Sequence, residues 1–174
     1  MHIGLIGGIG PAATVAYYLQ LVAAFKAANV PLEVTIVHAD VATLVGNASE
    51  GRSITQADVF ARHIKQLKGA GCDIATITAL TGHFCFRETE QRSELPLVNA
   101  ITLIDEHCAA NDISVLGLLG SAPVLTSHLF GLLEIPQTVI PVPDPVTIGN
   151  TYMELEMSGV CTDANRAILF EAGA

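Results

Sequence analysis

The sequence predicts an α/β fold: two similar three-layer α/β/α units with parallel sheets, the second incomplete. Three observations predict it. Short apolar runs alternate with longer amphipathic stretches in the order β-α-β-α-β over the first 77 residues, the pattern of a parallel sheet with right-handed crossovers. Of the 174 residues, 51% are hydrophobic and only 14% charged, against roughly 25% charged in ordinary soluble domains. Such a composition suits strands buried on both faces. The first strand also runs straight into a glycine-rich turn that opens a helix, as βα junctions of parallel sheets do.

Taken in order, Ile3-Gly4-Leu5-Ile6 is a short apolar run that ends in glycines and reads as a central strand. Pro11 suits the first turn of a helix to about Ala28, with Val15, Tyr18, Leu19, Val22 and Phe25 near helical spacing. Val34–His38 is the second strand. A polar loop follows, with Gly46-Asn47-Ala48-Ser49-Glu50-Gly51 at its tip. Thr55–Lys68 reads as a helix presenting Phe60, Ile64 and Leu67 on one face and ending at Gly71. Cys72–Ile77 is the third strand, and Pro96 marks a break. The domain boundaries that follow are 1–98, carrying the glycine loop, and 99–174.

In the second unit, Ile101–Ala110 reads as a helix, Ser114–Leu119 and Thr138–Ile140 as strands, and Val142-Pro143-Asp144-Pro145 as a stiff connection. A helix from about Thr147 to Met157 precedes a last one, capped by Thr162-Asp163 and running through Phe170. With only two clear strands, this unit is expected to be shorter than the complete architecture.

The net charge of −9 and the lack of a Lys/Arg cluster exclude a nucleic-acid footprint. No run reaches the roughly 18 apolar residues of a membrane span. The start shows neither a basic n-region nor a cleavage site, so no signal peptide is expected. Cys72, Cys85, Cys108 and Cys161 show no zinc spacing and are read as free, mostly buried thiols of a cytoplasmic protein. His2, His63, His107 and His128 show no metal-ligand spacing.

Gly8-Ile9-Gly10-Pro11-Ala12-Ala13 fits the G-x-G-x-x-G/A fingerprint of dinucleotide loops, with Asp40 placed after the second strand as a ribose acid could be. Pro11, however, removes one N–H that would hold a pyrophosphate. The other readings are a plain tight turn, or a loop whose helix end favours a small carboxylate.

The longer string from Ile3 to Thr14, with Tyr17-Tyr18, resembles the opening of the aspartate/glutamate racemase superfamily. Further segments fall in the family's order. Asp40-Val41-Ala42 resembles its loop after the second strand, and Thr81-Gly82-His83-Phe84 the end of its Cys-Asn-Thr-Ala-His motif. Leu118-Leu119-Gly120-Ser121 resembles the second domain's substrate loop, and Pro141 through Glu154-Leu155 and Gly159 the following helix region.

The resemblance implies two α/β domains in a homodimer and proton transfer at the α-carbon of an acidic amino acid or dicarboxylate. It implies no cofactor and no metal. It implies one thiol from each domain and substrate binding by Gly8, Ile9, Gly10, Leu80, Thr81 and Ser121. Free thiols with pKa near 8.5 can be tuned toward such work by a positive helix end.

The sequence departs from this pattern at the chemistry. The motif alignment puts Ala79 at the first catalytic cysteine and Leu80 at the substrate asparagine, and the second thiol would lie beyond Ala174. Three explanations stay open. Thr78 or Thr81 could replace the thiol, with His83 orienting substrate or relaying a proton. Cys85 could reach the site. Or the scaffold could bind a small carboxylate without racemising it. His83 could equally be a structural histidine bonded to backbone. His38, Arg52, Thr126 and Ser127 are further candidates for ligand contact.

Overall fold

The computed structural model describes residues 1–8, 10–140 and 144–173, so Ile9 and the Pro141–Pro143 part of the stiff connection lie outside the described residues. The chain divides into two compact units, Met1–Val98 and Asn99–Ala174. Both sheets are parallel, as the sequence predicts.

The first unit is built on a four-stranded sheet in the order β2-β1-β3-β4. Its strands are β1 (His2–Gly7), β2 (Glu33–His38), β3 (Ile74–Ile77) and β4 (Leu97–Val98). β1 is central, with Ile6 paired to Val37 on one side and to Ile77 on the other. Leu5 and Ile6, on its opposite faces, are both fully buried.

Glycines in β1 show how helices reach both faces. A Cβ on Gly4 would come within 2.8 Å of Leu67, on helix α3 (Ser53–Gly69). A Cβ on Gly7 would press into Thr14, 2.9 Å from its Oγ1, on helix α1 (Pro11–Ala27). Positions 4 and 7 of a strand face opposite ways, so α1 and α3 cover opposite faces and the unit has three layers. Close helix approach, rather than backbone freedom, explains these glycines.

The two layers are unequal. Phe60, Ile64 and Leu67 of α3 are fully buried and form one cluster with Ile6, Ala75, Ile77 and Cys85. The predicted face of α3 is therefore the core face. The apolar positions of α1 behave otherwise: Val15 is 57% and Leu19 59% exposed, and Thr14 is the buried residue of that helix. The helix is apolar around its circumference, so periodicity alone marks no core side.

Two further predictions need correction. The segment after β2 is not a loop but helix α2 (Val41–Ser49). Asp40 caps it, accepting the Thr43 N–H at 2.7 Å, while Leu44 is buried and Asn47 donates to buried Gln56 at 2.8 Å. Tertiary burial thus outweighs the loop-like composition of its end. Pro96, where the sequence predicts a break, lies two residues before the division between the units; its carbonyl accepts the Ala75 N–H at 3.0 Å, and β4, not predicted, adds a short edge strand. Proline is tolerated at such an edge. Cys72, Cys85 and Cys108 are buried free thiols, but Cys161 is exposed.

Between β3 and β4 the chain makes a 3-10 turn (Leu80–Cys85) and a short helix α4 (Phe86–Glu90). The second unit holds α5 (Ala100–Ala110), β5 (Val115–Gly117), α6 (Ala122–Thr126), β6 (Gln137–Val139), α7 (Pro145–Ser158) and α8 (Asp163–Gly173). β5 and β6 form a two-stranded parallel sheet. The Asp105 carboxylate accepts the N–H groups of Glu134 and Ile135 at 3.0–3.2 Å and so anchors the entry to β6. Asp144 caps α7, and Gly159 ends it with φ 67°. Among the described residues, no helix is long and apolar enough to cross a membrane.

Truncating the α3 face should be costly. Phe60→Ala is expected to destabilise the first unit by about 3–5 kcal/mol through cavity formation, measured by urea unfolding; a loss below about 1 kcal/mol would contradict this layer's role as the core.

Candidate active site

β1 joins α1 directly, whereas the chain from β2 crosses over β1 to reach β3. The strand order therefore reverses between β1 and β3. In open parallel sheets, ligands bind at the carboxyl ends of the strands at such a switch point. The glycine loop, from Gly7 to Gly10, leaves the sheet there.

Gly8 has φ +84°, and a side chain at this position would overlap the His38 ring and approach Ala39 O to 2.7 Å. Only glycine satisfies both conditions. Gly10 is the N-cap of α1 and supplies no side-chain cap, and Pro11 opens the helix. The positive end of a 17-residue helix thus meets the loop with no side chain neutralising it.

The candidate residues of the first unit gather along this edge. Thr78 continues β3, its N–H donating to Ile6 O at 3.1 Å. Its side chain is fully buried, and its hydroxyl donates to Ile6 O at 3.0 Å and bonds Thr14 Oγ1 at 3.0 Å. Ala79 follows in extended conformation (φ −148°, ψ 126°) and is half-buried, as are Leu80 and Thr81.

His83 lies beneath them. It is 1% exposed, its Nδ1 is 3.1 Å from Ala79 O, and its ring stacks on Phe86 with centroids 5.3 Å apart. A carbonyl can only accept, so this bond places a proton on Nδ1. Burial pulls the imidazole pKa below its usual 6.5, and backbone carbonyl bonds at Ala79 and Leu80 only partly offset this. The ring is therefore a neutral imidazole at neutral pH.

The thiols of this unit are poorly placed for acid–base work. Cys85 is fully buried, with Gly82 O at 3.4 Å and Thr89 Oγ1 at 3.7 Å, and burial pushes its pKa up to about 11. Cys72 precedes β3, at the amino end of the sheet, and burial raises its pKa too.

The remaining candidates divide clearly. His38, exposed, lies against Gly8 at the same carboxyl edge. Asp40 is occupied with Thr43, whose hydroxyl and N–H bonds hold its carboxyl below the usual range. Arg52 pairs with Glu50 at 2.9 Å on the surface. Ser121, Thr126 and Ser127 belong to the second unit. Ser121 is buried at the N-cap of α6, while the Thr126 and Ser127 hydroxyls donate to Ala122 O at 2.9 Å and Pro123 O at 2.5 Å. Ile9 lies outside the described residues.

Among the described residues, no three His, Cys, Asp or Glu side chains gather as a metal site. Sequence reasoning assigned no role to Thr14, which bonds Gly8 N, Gly10 O and Thr78. A hydroxyl four residues after Gly10, in the first turn of the helix, was its signal.

His83 also sets a pH dependence. Its pKa is lower folded than unfolded, so the unfolded chain takes up the proton first. Its contribution to stability is complete above about pH 6.5 and is lost as pH falls through the folded-state value. Urea midpoints are expected to fall between pH 7 and pH 5, and less steeply in His83→Gln; equal slopes in the two proteins would contradict the assignment.

The Asp/Glu/hydantoin racemase family profile matches residues 6–133. No curated protein sequence matches the chain. Three solved structures share the fold. A proposed Asp/Glu racemase from Yersinia pestis aligns at a TM-score of 0.71 and 20% identity, over 98% of this chain and 78% of that one. An aspartate racemase homologue from Pyrococcus horikoshii OT3 aligns at 0.65 and 22%, over 89% and 68%. Picrophilus torridus aspartate racemase aligns at 0.63 and 21%, over 91% and 75%. With the profile spanning the glycine loop, the β3 edge and the start of the second unit, the chain belongs to the Asp/Glu/hydantoin racemase family.

Proposed function

We propose that this chain binds aspartate, glutamate or a related dicarboxylate at the carboxyl edge of the first unit's sheet. There it moves the α-proton without a cofactor. The observation that carries the reading is the glycine loop at the β1/β3 switch point, feeding a helix end that has no side-chain cap, in a chain of this family. A carboxylate at that helix end is stabilised by the macrodipole and by backbone N–H groups. The same donors oppose the charge that grows on the carboxylate when the α-proton leaves as H⁺ and its electron pair stays behind.

Ala79 has no ionisable group, so the proton needs another acceptor. We assign to His83, buried just below this edge, the relay of that proton away from the ligand, with Thr81 offering a hydroxyl to the ligand. A neutral imidazole of lowered pKa is a weak base, so slow exchange follows from this assignment. The reading carries a cytoplasmic homodimer with it. Free buried thiols fit a reducing compartment, and the outward apolar stripe Val15, Tyr18, Leu19 and Val22 of α1 fits contact with a second copy.

A second reading, ligand binding without turnover, is favoured by Ala79 at the thiol position and by the high pKa of Cys85. The dinucleotide reading is weakened because the Gly8 N–H is spent on Thr14 at 3.1 Å and Pro11 has none.

Incubation with L- and D-aspartate or glutamate in deuterated water, read by proton NMR, separates these. The proposal predicts slow α-deuteration, raised about 10²-fold or more by Ala79→Cys, which supplies a thiol. No deuteration together with an aspartate-induced rise in Tm would establish binding alone. The absence of both deuteration and a Tm rise would overturn the reading.

A further inference from the structure

Thr14 is the one buried residue of α1, at 8% exposure, in a helix otherwise turned largely to solvent. Its hydroxyl meets three groups, two in the glycine loop and one at the end of β3. It accepts the Gly8 N–H at 3.1 Å and donates to Gly10 O at 3.0 Å. It also lies 3.0 Å from Thr78 Oγ1, which donates to Ile6 O at 3.0 Å.

Counting protons makes the arrangement specific. Thr14 has one proton, which goes to Gly10 O, and two lone pairs. One lone pair takes the Gly8 N–H, and the other faces the Thr78 hydroxyl, whose own proton is shared between Ile6 O and Thr14. Among the described residues, the proton and both lone pairs of this hydroxyl have partners, in bonds that are buried. The bond to Gly10 alone would be the ordinary back-bond of a helical threonine. The bonds to Gly8 and Thr78 go further: they fasten both sides of the glycine loop to the end of β3, across the switch point where the ligand is proposed to bind.

We propose that Thr14 is the positioning residue of this site. Through Thr78, it holds the glycine loop in register with the β3 edge, and the ligand affinity of the loop, rather than the stability of the fold, depends on its hydroxyl. The consequence for ligand choice is that the Gly8 N–H, spent on Thr14, is withdrawn as a donor. The inference about affinity rests on the carboxylate-binding reading above, whereas the inference about loop order does not.

The test uses the full ¹⁵N-labelled chain as wild type, Thr14→Val, Thr14→Ser and Thr78→Val. Valine keeps the shape that packs on Gly7 and removes the hydroxyl; serine keeps the hydroxyl. Amide hydrogen exchange at Gly8 is read against Leu5 and Ile77, and L-aspartate is titrated into each protein. Thr14→Val is expected to speed Gly8 exchange and weaken aspartate binding about tenfold each, the scale of one lost hydrogen bond, with Leu5 and Ile77 unchanged.

Thr14→Ser is expected to retain both properties. Thr78→Val, which leaves the Gly8 acceptor in place, is expected to speed Gly8 exchange several-fold. Wild-type Gly8 exchange in Thr78→Val, a serine variant as impaired as valine, or faster exchange at all three amides would each overturn the proposal. If wild type binds no aspartate, the functional reading fails, and Gly8 exchange alone still decides the role of Thr14.

Discussion

β1 is hydrogen-bonded along both edges and buried on both faces, and the site depends on that double constraint. Its pairing with β2 and β3 fixes where Gly7 ends, since Ile6 lies level with Val37 and Ile77. The burial of Leu5 and Ile6 prevents a one-residue slip, which would exchange the two faces. From that fixed end the chain must turn at once into α1 without striking His38 or Ala39. Only a glycine with positive φ makes the turn. The Thr14 hydroxyl then fixes the turn from the far side.

The chemistry of the β3 edge follows from the same packing. β3 ends beside β1, so Thr78 is drawn into the buried hydroxyl pair and is spent on structure. The following residues, Ala79, Leu80 and Thr81, are left half-buried at the edge. His83 and Cys85 turn inward, one stacked on Phe86 and the other bonded to Gly82 and Thr89. Burial favours the neutral form in both cases. The edge is thus poor in strong bases, which fits the slow proton transfer proposed for it.

Much of this was legible in the sequence, and for physical reasons. β1, β2, β3 and the α3 face are set by period and burial together, so Phe60, Ile64 and Leu67 were readable as core, whereas the two-residue β4 was too short to carry a pattern. The glycine loop was readable because its glycines answer to steric limits of the backbone. Helix α2 was not, because its stability comes from the Asp40 cap and the buried Asn47–Gln56 pair, polar residues that read as loop in one dimension. The exposure of α1 was hidden because a helix apolar on all sides has no periodic signal. Thr14 escaped notice because its value lies in meeting Thr78, 64 residues away.

The central claim is that the α1 end of the glycine loop receives the carboxylate of an acidic amino acid. Amide chemical-shift mapping during an L-aspartate titration tests it most directly. The account predicts saturable shifts concentrated at Gly10, Ala12 and Thr81, with Gly8 moving little because its N–H is held by Thr14. Shifts confined to other surfaces, or none at millimolar aspartate, would contradict it.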